Sequence, residues 1–571
     1  MLNIVFVLLR RLQVPLVVLI VAYAAAVLGF VLIPGKDDHG QPWDMGFLHA
    51  FYVVSYTATT IGFGELPYLF TDMQRLWMTL VVYVTVIAWM YAIGMILALI
   101  QDSAIRTLMK EQLFVRHVRR IVEPFYLLCG YGNSGGSLVR GLTGAGLRVV
   151  VVDSDSAAID ALSIEDLPLP VPGLCRDAGL PDTLVMAGLQ SRHCAGVLVL
   201  TKDDEVNVKI AIATKLLCPQ LLTIVRVHTQ AFADTLATFG VDYTLNQYDL
   251  FTRIFKNAVH APSLYALDER LTSVPNEAWS PPLEVPRGHW IVCGYGRFGQ
   301  AMHKALHDEG VSCTFIATEK NNAARAPRHV VVGEATSVDV LVEAGVRDAS
   351  AIIAGTGDDM RNLAIVMTAR RLNPTIFVVA RQLHIDNDAL FRAAAIPLVL
   401  QHGQVLAGEA FTIITSPLVV DFLRLTEQHD EAWADALHRR IHAYTGEHNP
   451  DRWTVDVRSN SAPAICLVLA RGRRISIGDL CRDTNERARY TPSIALLLKR
   501  ESEFTLLPVA TLEVRKGDKI LFCGVKEARK QMEWVTRNHN VCHYILTGEE
   551  STRNIATLIT PRTARVKKRQ S

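Results

Sequence analysis

The chain of 571 residues lacks a charge excess of either sign. Its 58 Lys and Arg stand against 56 Asp and Glu, a formal net charge of +2, and that balance suggests no nucleic-acid partner. Its ten cysteines include no Cys-x-x-Cys pair. They are scattered in a way that excludes a disulfide scaffold and fits a reduced compartment. Cys129 and Cys293 lie in apolar strand-like runs, where buried thiols are common. Two stretches lack charge altogether, residues 12–35 and 76–101. Each exceeds the ~20 residues a helix needs to cross a bilayer. The first is too long for a signal peptide, and no small-residue cleavage pattern precedes the second. Lysine and arginine are also scarce between them, where only Lys36 and Arg75 occur. Arg10 and Arg11 precede the first stretch, and Arg106, Lys110, Arg116, Arg119 and Arg120 follow the second. This asymmetry places both chain ends in the cytoplasm.

Between the two apolar stretches the chain reads Thr-Ala-Thr-Thr-Ile-Gly-Phe-Gly-Glu over residues 57–65. A row of backbone carbonyls aims at one axis only if successive residues alternate between ordinary and left-handed conformations. Gly62 and Gly64 enter the left-handed region without a Cβ penalty. Thr60 adds a hydroxyl, and Ile61 and Phe63 are expected to turn away from the axis and pack behind the loop. Trp43 through Thr57 are expected to form a short helix entering the membrane from outside. Its negative C-terminal end would favour a cation, and irregular backbone at that depth must be enclosed or line a water path.

The segment Thr60, Ile61, Gly62, Phe63, Gly64, flanked by Thr59 and Glu65, resembles the selectivity filter of a potassium channel, whose carbonyls replace the hydration shell of K+. With one filter between two spans, the chain resembles the two-span prokaryotic potassium channels. The resemblance implies a homotetramer, four filter segments closing around one axis. Three positions depart from the pattern. Phe63 stands where tyrosine is usual, so that ring has no hydroxyl to brace the filter. Glu65 stands where aspartate is usual. Gly94, the only glycine of the second span, lies near its cytoplasmic end.

The remainder repeats itself. Tyr-Leu-Leu-Cys-Gly-Tyr-Gly-Asn-Ser-Gly-Gly at 126–136 matches Trp-Ile-Val-Cys-Gly-Tyr-Gly-Arg-Phe-Gly-Gln at 290–300, and Thr201, Asp203, Asp204 and Asn207 match Thr356, Asp358, Asp359 and Asn362. Arg226 and Arg381 each end a later apolar strand. One G-x-G-x-x-G is weak evidence. Two with shared downstream landmarks predict two parallel βαβ sheets of the Rossmann kind. The pattern resembles tandem RCK domains, the regulators of potassium conductance. The expected architecture is an α-helical pore domain, with two spans, a re-entrant pore helix and filter, joined to tandem α/β Rossmann-like RCK domains and a small α+β C-terminal lobe. Expected bounds are 1–101 for the pore, 102–124 for a helical gate linker running to Pro124, 125–261 for the first RCK domain and 262–288 for a Pro-rich connection. The second RCK domain takes 289–430, a helical connection and C-terminal lobe 431–535, and an extension with a basic tail 536–571. Cys466–Leu469, Ile494–Leu498 and Lys519–Phe522 read as strands of the lobe.

In such a fold, glycines admit a pyrophosphate to a helix N-terminus and an acid takes the ribose hydroxyls. The first repeat offers Gly130, Gly132, Asn133, Ser134, Gly135 and Asp153, with Asp155 nearby and Asp177 facing the adenine side. The second offers Gly294, Gly296, Arg297 and Gly299. It has Ala317 at the slot of Asp153, and Glu319 two positions on. An NAD or ADP-type nucleotide is the expected regulatory ligand; the alternative is a domain that keeps the fold and binds nothing. Ca2+ is a second candidate ligand by resemblance, through Asp203, Asp204 and Glu205, or Asp358 and Asp359. The plainer reading of those acids is helix N-capping. His438 and His442 have zinc-compatible spacing, against a solvated helical face. The resemblance implies a ligand-gated potassium channel of the cell membrane with eight RCK domains in a ring. A membrane-anchored NAD-dependent oxidoreductase, or a regulatory subunit of a potassium transporter, are the alternatives. No catalytic residues are evident.

Overall fold

The computed structural model describes residues 2–64, 68–272, 283, 285–318 and 329–549. Glu65, Glu319 and the basic tail from Pro561 to Ser571 lie outside the described residues. The chain divides into two compact units. One holds the apolar helices and the helix that follows them, and the other holds nearly all the rest.

In the first unit a helix runs from Leu2 to Leu32 and another from Asp72 to Gln101. Leu12–Leu32 and Asp72–Gln101 are long and apolar enough to cross a membrane. Thr71 starts the second with a capping box, its hydroxyl accepting from the Gln74 N–H while Gln74 reaches back to the Thr71 N–H. Two tryptophan N–H groups tie the long helices together: Trp77 donates to the Ala26 carbonyl at 3.1 Å and Trp89 to the Tyr23 hydroxyl at 2.9 Å. At Gly29 an added Cβ would lie 2.1 Å from the Trp77 ring, so only glycine allows this approach. Between the two runs the short helix Phe47–Ala58, against the expected 43–57, packs Ala50, Val53 and Val54 against Ala26, Val27, Phe30 and Val81. Pro42 and Trp43 instead pair antiparallel with Gly35 and Lys36, and Gly46 begins the helix with extended backbone. The stretch 102–124 is not one continuation of the second span. Asp102 is extended, with φ −61 and ψ 117, and a separate helix spans Ser103–Arg119, stopping short of Pro124.

The two expected parallel sheets lie in the second unit but for Gly173 and Leu174. The first has strand order Gly173–Cys175, Arg148–Asp153, Phe125–Cys129, Cys194–Val199, Leu222–Val227, Tyr243–Asn246. The second repeats that order with Val330–Val332, Cys313–Ala317, Trp290–Cys293, Ala351–Ala354, Phe377–Gln382 and Leu398–Gln401. In chain order each sheet reads 3-2-1-4-5-6, so its crevice opens beside the first strand, where the connections change direction.

The helices after the two sheets are exchanged. Gln247–His260 follows the first sheet, yet its apolar stripe of Phe251, Phe255 and Val259 joins Trp290, Val292, Phe298 and Met302 of the second repeat. His402–Thr415 follows the second sheet, and Leu406, Ala407, Ala410 and Ile413 join Leu138, Leu142, Val149 and Val151 of the first. Arg253 of one exchanged helix pairs with Glu409 of the other through two bonds, at 3.2 and 2.7 Å.

The third sheet is antiparallel, in the order Asp451–Asp456, Lys519–Gly524, Ser493–Arg500, Glu503–Leu506. Its strands alternate faces as the strand period requires. Ile520 and Phe522 join a core with the helices Pro463–Ala470, Lys526–Arg537 and His539–Thr547, while Leu521 and Cys523 join a core on the other side. Cys466–Leu469 therefore lies in a helix, not a strand: Pro463 occupies the first turn, where its missing N–H costs nothing. The opening of the Pro-rich connection is likewise helical, Pro262–Thr272. Leu264, Leu267 and Leu271 from it enter the second core with Phe422, Leu437 and Ile441. Arg270 is fully buried there and donates to the carbonyls of Gly446 and His448 at 2.8 and 3.0 Å.

Candidate functional site

The loop after Phe47–Ala58 has the alternation its glycines announce. Thr60, Gly62 and Gly64 have φ of 62, 66 and 96, and neither Ile61 nor Phe63 has a positive φ. Thr60 is the residue that composition did not mark; its left-handed backbone costs about 1–2 kcal/mol. The helix end holds it there. The Thr60 N–H donates to the Thr57 carbonyl at 3.0 Å, and the N–H groups of Ile61 and Gly62 both reach the Tyr56 carbonyl, at 2.9 and 3.3 Å. The Thr59 hydroxyl donates to the Ser55 carbonyl at 2.8 Å. The last helical carbonyls are thus satisfied by the loop itself.

Phe63 packs behind the loop, its ring edge-on to Tyr56 at 5.6 Å and stacked on Tyr52 at 6.4 Å. In the single chain Ile61 and Phe63 are both largely exposed, at 61% and 59%. A ring hydroxyl does brace the loop, but it comes from the supporting helix: Tyr56 donates to the Gly64 carbonyl at 2.5 Å. A cavity of about 540 Å³ lies beside the loop, lined by Thr57, Thr60, Gly62, Gly64, Met78 and Val82 among others.

The two glycine loops are built alike. Gly130 and Gly294 have φ of 101 and 95. A Cβ on Gly135 would stand 2.1 Å from the Gly130 oxygen, and one on Gly299 would stand 2.0 Å from the Gly294 oxygen. Gly132 and Gly296 occupy the N-caps of Asn133–Gly144 and Arg297–Asp308 without any side-chain cap, which leaves positive helix ends for an anion. Asp153 closes its strand beside the first loop. It accepts from the Tyr131 N–H at 2.5 Å and the Asp155 N–H at 2.8 Å. Asp155 caps the next helix through the Ala157 N–H at 2.9 Å, and Asp177 holds the Gly179 N–H at 2.8 Å. Ser134 is buried in the first turn. Asn133 is spent between repeats, its amide donating to the Leu383 carbonyl at 2.8 Å. In the second repeat Ala317 is buried at the position of Asp153, and Arg297 is exposed on the first turn of its helix.

Glu165, at the first loop, is a residue that no motif marks. It accepts from the Tyr131 hydroxyl and pairs with Arg140 at 2.7 Å. Burial works against the Glu165 carboxylate, but these two bonds hold it below the usual range. The signal available was Tyr131 inside the glycine motif, an aromatic hydroxyl that needs a partner when buried.

The acids proposed for calcium are engaged in local structure. Asp203 caps its helix through the Glu205 and Val206 N–H groups at 2.8 and 3.4 Å, and Asp358 does so through the Arg361 N–H at 2.7 Å. Asp204 pairs with His228 at 2.7 Å. Asp359 gathers the N–H groups of Leu383 and His384 and the Asn387 amide at 2.7, 3.0 and 2.8 Å. Glu205 follows in the first turn, where its charge suits the dipole. Among the described residues no three His, Cys, Asp or Glu side chains gather as metal ligands. His438 faces Arg270 at 3.3 Å, and burial, then that guanidinium, pushes its imidazole pKa down. The shared landmarks are a repeated clamp. Thr201 donates to Asn207 and Thr356 to Asn362, each at 2.6 Å; the asparagine amides then reach the Arg226 and Arg381 carbonyls at 3.0 and 2.8 Å.

Comparison with known proteins agrees with this division. Residues 126–247 and 290–401 each match the TrkA-N domain family. "Probable potassium channel protein 2" of Methanocaldococcus jannaschii is 26% identical over 256 residues, 43% of this chain and 66% of that protein. "Potassium channel protein 1" of the same organism is 30% identical over 142 residues, 24% of this chain and 42% of that protein. The chain thus spans less than two thirds of either relative. The solved structure "GsuK channel bound to NAD" is 16% identical with a TM-score of 0.45, covering 93% of this chain and 99% of that one. Two glycine-loop sheets of the same order, each matched by the same family model, give this chain two TrkA-N domains beside its two membrane-length helices.

Proposed function

We propose that this chain is the subunit of a potassium channel whose conduction is governed by nucleotide binding to its TrkA-N domains. The carrying observation is the alternation of backbone hand at Thr60, Gly62 and Gly64 between two membrane-length helices. That alternation turns successive carbonyls the same way, as replacement of an ion's water shell requires. Four copies around one axis supply the ring of oxygens that one copy lacks. Thr60, Ile61, Gly62, Phe63 and Gly64 line it, with Thr59 and Glu65 at its ends. In this reading both termini and the TrkA-N domains lie in the cytoplasm, and eight such domains form the ring beneath the pore.

The first repeat is the better nucleotide site. Gly130, Gly132 and Gly135 open the helix end to a pyrophosphate. Asp153 stands at the strand end where ribose hydroxyls fall, and Asp177 stands beyond it. The second repeat has the helix end and Arg297 for phosphate but no acid at Ala317. A nucleotide shifts conduction only by binding one state of the ring more tightly, about 1.4 kcal/mol for each tenfold change.

The test is K+ flux through the purified full chain in liposomes, with NAD, ADP or Ca2+ added to the face carrying the TrkA-N domains. K+ flux that NAD or ADP alters is the expected result. No flux removes the channel and favours a transporter's regulatory subunit. Flux indifferent to all three removes the gating alone, and cofactor turnover without flux would mark an oxidoreductase.

A further inference from the structure

The helix Ser103–Arg119 begins one residue past the second membrane-length helix. Its charge departs from the balance of the whole chain. Over residues 103–120, Arg106, Lys110, Arg116, Arg119 and Arg120 stand against Glu111 alone. Arg106, Met109, Lys110, Leu113, Arg116 and Arg120 recur at helical spacing and so share one face. All six are exposed, Met109 at 52% and Leu113 at 51%. Phe114 and Val118, four residues apart, lie on another face and are buried. One side of the helix is therefore packed, while a second, cationic and apolar together, stays exposed. The Arg106 Nε donates to the Ile100 carbonyl at 3.0 Å. That bond holds the guanidinium against the last turn of the preceding helix, so the exposed face starts where the apolar run gives out. Asp102 is extended, and the two helices need not share an axis.

We propose that Ser103–Arg119 is an interfacial element whose face of Arg106, Lys110, Arg116 and Arg120 takes the phosphates of anionic phospholipids in the cytoplasmic leaflet. The proposal rests on the membrane orientation and pore axis given above and goes beyond them. Long basic side chains reach headgroup phosphates while Met109 and Leu113 enter the acyl boundary, as in helices that lie along a bilayer surface. Basic residues next to a span are drawn to the negative cytoplasmic leaflet. The pore reading excludes the opposite orientation. Copies of this face turned toward a shared axis would ring the exit with positive charge, which suits an anion path and opposes K+.

The experiment follows amide hydrogen exchange over residues 103–120 by mass spectrometry. The full chain is placed in nanodiscs of phosphatidylcholine alone, and of phosphatidylcholine and phosphatidylglycerol in equal parts. Exchange is expected to be slower by about fivefold or more with phosphatidylglycerol, the effect of one basic residue or more at an anionic surface. The helix Asn133–Gly144 is the control and is expected not to respond. The joint replacement Arg106→Gln, Lys110→Gln, Arg116→Gln, Arg120→Gln is expected to erase the difference. Wild type at about 1 M salt, where the screening length falls to ~3 Å, should show the same loss without any substitution. Equal wild-type exchange in the two lipids overturns the proposal. So does slow exchange in both that neither salt nor the replacement alters, which would mean that another copy of the chain covers the face. Liposome K+ flux reads the pore separately. Flux without phosphatidylglycerol-dependent protection removes the lipid contact alone, and such protection without flux removes the channel alone.

Discussion

At the scale of single residues, two positions carry measurable consequences. Gly135 sits so close to Gly130 that a methyl group has no room. Gly135→Ala is expected to abolish the proposed nucleotide binding, read by calorimetry, and to cost about 1–3 kcal/mol of stability as the loop is forced aside. Asp268 is the second. Burial first of all, and then Glu409 and Glu427, push its carboxyl up to about 6, with Arg253 pulling the other way. The folded chain therefore keeps a proton that the unfolded chain, titrating near ~3.9, has already lost. Stability falls as pH rises through about 4 to 6, and the deficit is complete above that window. Asp268→Asn is expected to melt higher than wild type at neutral pH, with the gap closing toward about pH 4. Equal gaps at both pH values would contradict this assignment. Residue-level legibility was uneven for a physical reason. Gly62, Gly64, Gly130 and Gly294 declare left-handed backbone by having no Cβ. Thr60 adopts it only because Thr57 and Tyr56 hold its neighbourhood, and no local pattern marks the contact of Tyr56 with Gly64.

At the scale of elements, the two sheets were readable because each glycine loop must be followed by a helix and preceded by a buried strand. The short run Cys466–Leu469 was not, since four apolar residues carry no period and fit either element. The exchange of Gln247–His260 and His402–Thr415 was invisible as well. Both stripes have ordinary helical spacing, and spacing says nothing about which sheet a stripe will cover. The exchange can be tested at Arg253 and Glu409, whose side chains are 21% and 11% exposed. Glu409→Ala takes two hydrogen bonds from a largely buried guanidinium and leaves it Asp268 and Glu427 as nearby carboxylates, at a cost of about 1–3 kcal/mol. Thermal unfolding of the full chain in detergent should show the loss.

At the scale of the whole molecule, exchanged helices mean that neither repeat is complete without the other. Residues 123–272 produced alone would expose Phe251, Phe255 and Val259, each fully or almost fully buried in the intact chain and contributing about 1.5–3 kcal/mol when covered. Two copies of the fragment are expected to complete one another as a dimer in sedimentation, and a well-behaved monomer would contradict the exchange. Asp102 has a consequence at this scale too. It leaves a single extended residue between the helix ending at Gln101 and the one beginning at Ser103. Such a swivel passes tension along the chain but lets torque dissipate. One extra glycine inserted there would add slack without enforcing the turn of about 100° that an insertion inside a continuous helix imposes.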